Sequence, residues 1–254
     1  MGYPKDLLAS RSIIKHGKYA LIAPEGLVNN VIPGFENCII SILGSPKLGA
    51  SFVDYIVTMN KGGKNSEGFG GQADVETFVY VIEGAIKAST DGQEFLLEES
   101  GYLYCPPGSK LYLENLGDTD SKLFLYKQKN RPLEGRKPWI VSNHANKIEY
   151  QIYDGMHNVN LKNLLPTDID FDMNFHILSF DPAASHPFIE THVQEHGAYL
   201  LSGEGMYNLD NNWVPVKKGD YIFMGPYVHQ AAYAIGRENL TYVYSKDCNR
   251  DVEL

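Results

Sequence analysis

Between Glu190 and His196 the sequence reads Glu-Thr-His-Val-Gln-Glu-His, which places a carboxylate and two imidazoles within seven residues. Side chains two apart on a strand share a face, so Glu190 and His192 project together; His196 joins them if the strand continues regularly. A carboxylate oxygen and two imidazole nitrogens suit a divalent ion. Near the end of the chain Tyr242, Tyr244 and Lys246 alternate along a second β-rich segment. If that face lines a cavity, Lys246 can pair with a small anion and Tyr242 can hydrogen-bond to it. An exposed edge strand is the bland alternative. Tyr207, on the strand after Gly203, is a weaker candidate of the same kind. His144, His157, His176 and His186 show no partner pattern and read as ordinary loop or core residues. Cys38, Cys105 and Cys248 are widely spaced, with no positioned base in view, so they read as reduced thiols rather than nucleophiles.

The elements that must position these groups are strands. The chain has 254 residues, 43% hydrophobic and 21% charged, enough apolar material for one large or two smaller cores. Its 24 glycines and 13 prolines punctuate runs such as Phe78–Ile82, Leu123–Tyr126, Tyr221–Met224 and Leu240–Tyr244. No stretch holds a helical period for three turns, although Asn158–Leu165 could form one short helix. An all-β fold is expected. An internal repeat refines this: Gly84 is followed seven residues later by Asp91 and seventeen later by Gly101, while Gly203 is followed seven later by Asp210 and sixteen later by Gly219. Each first glycine ends a hydrophobic strand, each Asp opens a polar turn, and each later glycine starts a strand that runs into a Pro/Gly turn. Two tandem β-barrels follow, residues 1–140 and 141–254, with a linker near Lys127–Lys147.

Thirty-one acidic against 22 basic residues give a net charge of −9, which argues against nucleic acid or anionic lipid as partners. No apolar run is long enough for a membrane helix, Met1–Ser10 lacks a leader's apolar stretch, and the terminal Asp-Val-Glu-Leu is discounted as a retention signal. A soluble, cytoplasmic protein is the expectation.

The spacing around Gly203 and Gly219 resembles the two motifs of the cupin (double-stranded β-helix, or jelly-roll) barrels. On that resemblance Glu190 and His192 occupy the two histidine positions of the first motif, and His196 its glutamate position. The third-histidine position of the second motif falls on Gln230, with His229 as an adjacent rival that would point the other way from a strand. The motif's Pro-x-Gly is replaced here by Gly225-Pro226-Tyr227. The implied ligand set is therefore Glu190, His192, His196 and Gln230. In the first repeat the corresponding positions are Gly71, Ala73, Thr77 and Leu111, and no histidine occurs between His16 and His144, so that barrel reads as structural.

A two-barrel chain with one such site resembles the (S)-ureidoglycine aminohydrolases. The segments GFENC at Gly34–Cys38, GASFVDY at Gly49–Tyr55, GYLYCPPGS at Gly101–Ser109, ETHVQEHGAY at Glu190–Tyr199, NLDNNW at Asn208–Trp213 and the terminal YSKDCNRDVEL carry that likeness. It implies a Mn²⁺ enzyme of allantoin (purine) degradation that converts ureidoglycine to ureidoglycolate and ammonia. Glu190 and Lys246 would then be catalytic, Gln230, Tyr242, Lys246 and Tyr207 would bind substrate, and a homo-oligomer would be expected. The competing readings are a bicupin oxygenase or decarboxylase acting on a small organic acid, and a non-enzymatic ligand-binding or storage protein.

Overall fold

The computed structural model describes residues 9–252; most of the segment read for a leader, and the last two residues of the Asp-Val-Glu-Leu tail, lie outside that range. The described residues are almost entirely strands, with only two 3₁₀ turns, Pro24–Gly26 and Ala145–Lys147. Asn158–Leu165 forms no helix. Most of it lies in the strand Met156–Asn163, which pairs on both sides, and those ladder bonds outweigh the weak helical signal.

The first half of the chain builds a ten-stranded sheet around an aliphatic interior that includes Val79, Val81, Leu103, Leu111, Leu123 and Leu125. The second half builds an eight-stranded sheet and a three-stranded sheet, the latter of Asn212–Lys217, Glu204–Leu209 and Gln230–Ile235. Apolar faces of both sheets meet in a second core around Leu178, Leu200, Leu209, Ile222 and Ala232. Polar hairpin turns close the long arms. Asp91-Gly92 and Asp210-Asn211 adopt φ of 47° and 77°, and of 53° and 64°, the left-handed values that two-residue hairpins require.

A single cut at residue 140 separates these sheets only in part. Strands Ile13–Lys15 and Tyr19–Ile22 add to the second sheet through Tyr221–Met224, whereas Val141–His144 adds to the first through Gly101–Cys105. Each half therefore lends an edge to the other.

The exchange explains why the hydrophobic runs are continuous rather than alternating. In Val75–Glu83, Val79 and Val81 fill the first barrel while Phe78, Tyr80 and Ile82 face the second. In Tyr221–Met224, Ile222 and Met224 enter the second barrel while Tyr221 and Phe223 face the first. Strands buried on both faces need no polar side. The interface between barrels is largely aromatic, with Phe78 stacked on Phe175 at 3.8 Å between centroids.

Within that interface Tyr221 donates a 2.6 Å hydrogen bond to Asp54, whose other carboxylate oxygen has no partner. Burial pushes the Asp54 carboxyl up to about 8, against the opposing effect of the Tyr221 bond. The folded protein thus holds a proton that the unfolded chain releases near pH 4, so this group's contribution to stability falls from about pH 4 to about pH 8 and is constant above. Asp54→Asn, followed by thermal unfolding across that range, is expected to remove a slope of up to about 1.4 kcal/mol per pH unit. Parallel curves for the variant and the original protein would refute the assignment.

Candidate metal centre

The strand His196–Ser202 begins at the last of the three residues singled out by spacing. The regular strand expected through 190–196 does not form. Glu190 makes one antiparallel bridge to Gln230, with backbone hydrogen bonds of 2.9 and 3.0 Å, and residues 191–195 are irregular. Two anchors hold that loop. Tyr227 N–H donates to the His192 carbonyl at 2.7 Å, and the Thr191 hydroxyl donates to the Tyr227 carbonyl at 2.9 Å. Tyr227 stands at the motif's glycine position and takes the left-handed φ of 60° that glycine adopts at less cost. The first barrel contributes as well, because the Ser51 N–H donates to the Glu195 carboxylate at 2.9 Å.

Bent this way, the chain brings His192 Nε2 to 3.3 Å from His196 Nε2 and 2.5 Å from the Gln230 amide nitrogen, Nε2. His196 Nδ1 lies 2.9 Å from the Ser245 carbonyl. It must donate there, which leaves Nε2 as a lone pair aimed at His192. Burial holds the His196 ring well below its ordinary value; burial, then the Lys246 charge, lowers His192. Two neutral imidazoles with facing nitrogens, beside an amide, fit a divalent cation. Glu190 lines the same small cavity as His196 and Gln230, with its Oε1 accepting from Tyr153 at 2.8 Å. Among the described residues no three His, Cys, Asp or Glu side chains close on one point. The convergence is of His192, His196 and Gln230, with Glu190 in the wall. His229 points away, its ring 3.9 Å from Asp210, as strand parity requires.

Tyr207 and Tyr242 line this cavity, each buried, with their rings edge-on at 6.0 Å between centroids. Burial raises both phenols far above their ordinary values, so they act as neutral donors and acceptors. Ala198 pairs with Tyr244 across the sheet. Two residues on, His196 and Lys246 come level on the interior face, opposite Asn174. Lys246 is half-buried, and its charge helps depress His176, His192 and His196. The neighbouring Asp247 is occupied by Arg131 at 3.3 Å.

Tyr153 and His186 also line the cavity, and neither was singled out from the sequence. His186 is a buried residue, as expected, but one in the cavity wall: its Nδ1 accepts the Ala232 N–H at 2.8 Å, and its ring packs edge-on to Tyr153. His176 is half-buried and stacks on Tyr244. The Asp154-Gly155 turn signal could have placed Tyr153 at a hairpin end, but no local pattern aims it at Glu190. In the first barrel the matching positions hold Thr77 and Leu111, both fully buried in apolar surroundings, with Gly71 and Ala73 near the surface.

A cupin-domain model matches residues 176–244. The chain is 61% identical, over its whole length and 97% of the relative's, to the (S)-ureidoglycine aminohydrolase of Escherichia coli (strain K12). It is 33% identical to a probable (S)-ureidoglycine aminohydrolase of Oryza sativa subsp. japonica, over 95% of this chain and 76% of that protein. The crystal structure of protein Ylba from E. coli superposes with a TM-score of 0.89 at 58% identity, covering all of both chains.

Proposed function

The chain belongs to the (S)-ureidoglycine aminohydrolase family, a family of hydrolases acting on C–N bonds, and from that membership we propose that it hydrolyses (S)-ureidoglycine to (S)-ureidoglycolate and ammonia in allantoin (purine) catabolism, with Mn²⁺ as its cofactor. The observation that carries the metal half of this reading is the meeting of His192, His196 and Gln230 beside Glu190. Glu190, His192, His196 and Gln230 would hold the ion, and the two oxygen donors favour Mn²⁺ over softer competitors. When bound, such an ion supplies charge stabilisation for a leaving amine and fixes the orientation of a chelating substrate.

The remaining work falls to the protein. Lys246, half-buried with no carboxylate partner among the described residues, pairs with the substrate carboxylate or ureido oxygen. Tyr242 donates to the same end of the substrate, and Tyr207, packed edge-on against the Tyr242 ring, contacts it as well. The Gln230 amide contacts both ion and substrate. Glu190 takes a proton from the attacking water and passes it to the departing nitrogen, so that the C–N bond breaks as the water oxygen bonds the same carbon and ammonia leaves. The apolar walls, Leu178 and Met224, limit competing water.

By the same proposal the first barrel is structural, holding the loop at Glu195. The protein is cytoplasmic, consistent with three unpaired cysteines, and no described helix is long and apolar enough to cross a membrane. It forms a homo-oligomer; Phe188, Ile189, Trp213 and Tyr233, exposed around one surface cleft, offer the apolar surface that association would cover.

The test is ammonia release from freshly generated (S)-ureidoglycine, comparing chelator-stripped protein with the same protein refilled with Mn²⁺ and subtracting spontaneous decay. Release restored by Mn²⁺, with one ureidoglycolate enantiomer as product, is the expected result. No release above background with metal bound would refute the reaction, and dioxygen consumption would then identify an oxygenase.

A further inference from the structure

We propose that Tyr153 is a positioning residue that orients the Glu190 carboxylate for the cation and for proton transfer. The inference rests on the metal-dependent reading of the site. Glu190 sits on a single bridge next to an irregular loop, so its backbone does little to fix the side chain. The Tyr153 hydroxyl engages one carboxylate oxygen at 2.8 Å and leaves the other to the cavity shared with His196 and Gln230.

Tyr153 is itself held from several directions. It ends the edge strand Gln151–Tyr153, and a register shift between Ile152 and Tyr153 re-aims it as the chain turns into Met156–Asn163. Asp154 and Gly155, with φ of 46° and 74°, close that turn. Its ring meets His186 edge-on at 5.9 Å between centroids, and the Ala232 N–H fixes His186 in turn. A chain of contacts thus runs from the three-stranded sheet through His186 and Tyr153 to Glu190. Groups that orient a metal's ligands in this way commonly change affinity or activity 10- to 100-fold when removed.

Tyr153→Phe keeps the ring and its packing and deletes only the hydroxyl. Its Mn²⁺ affinity, read from the free-ion electron paramagnetic resonance signal without substrate, is expected to fall about tenfold. The kcat for ammonia release should fall about as far with KM within about twofold, because substrate is bound by other groups. In a Glu190→Ala background the same change should cost no further Mn²⁺ affinity, since no carboxylate remains to orient. Unchanged Mn²⁺ affinity in a folded Tyr153→Phe protein, or equal loss in both backgrounds, would overturn the proposal; so would a wild-type protein that takes up no Mn²⁺. Failure of wild-type protein to release ammonia would instead count against the ureidoglycine reading, because the affinity test needs no substrate.

Discussion

Lys246→Met is expected to lower kcat/KM for ammonia release by about a hundredfold or more, about 3 kcal/mol of transition-state binding, while the fold and Mn²⁺ uptake persist. The reason is that Lys246 stands level with His196 on the interior face but touches none of the groups that meet there. Its ammonium has no carboxylate partner among the described residues, while Asp247 beside it is paired with Arg131. Methionine fills the same volume without charge. The substrate carboxylate would then be desolvated on binding with no cation to receive it. His192 and His196 would lose a neighbouring positive charge, so metal affinity should hold or rise slightly. Steady-state kinetics with a metal titration in parallel checks both halves. Undiminished turnover by a folded Lys246→Met protein would remove Lys246 from the site.

Gly197→Ala is expected to cost about 3 kcal/mol of stability and to lower the melting temperature by about 6–12 °C, at 2–4 °C per kcal/mol for a chain of this size. A β-carbon at Gly197 would overlap an Asp54 carboxylate oxygen and come to 2.7 Å from the Tyr221 hydroxyl and 2.9 Å from the Phe52 ring. None of these is the loose end of an exposed side chain: Asp54, Tyr221 and Phe52 are all buried between the barrels. The strand must shift or the Asp54–Tyr221 bond must break. Gly197 also follows His196 directly, and its N–H donates to the Ser245 hydroxyl at 3.2 Å, so the shift carries His196 with it. Reduced Mn²⁺ affinity should accompany the thermal loss. A variant that melts with the original protein would show that the junction yields more easily than its packing implies.

Much of the site is determined by local sequence. Period-two geometry puts Tyr242, Tyr244 and Lys246 on one face and turns Gln230 inward while His229 faces out; the structure has that arrangement. The hairpins at Asp91-Gly92 and Asp210-Asn211 follow from residues that tolerate positive φ. Unbroken apolar runs demanded burial on both faces, and the aromatic junction between barrels supplies the second face. Other features depend on contacts between residues far apart in the chain, which a local pattern does not encode. Pairing of Tyr19–Ile22 with Tyr221–Met224, nearly two hundred residues later, is selected by core packing and not by either strand's own sequence. The same holds for Asp54 with Tyr221 and for Tyr153 with Glu190. The approach of His192 to His196 needed a bent loop rather than a straight strand, held by bonds to Tyr227 and Ser51. Sequence determines which side chains a strand presents to each face; the tertiary fold, by burying those faces together, decided which of them meet.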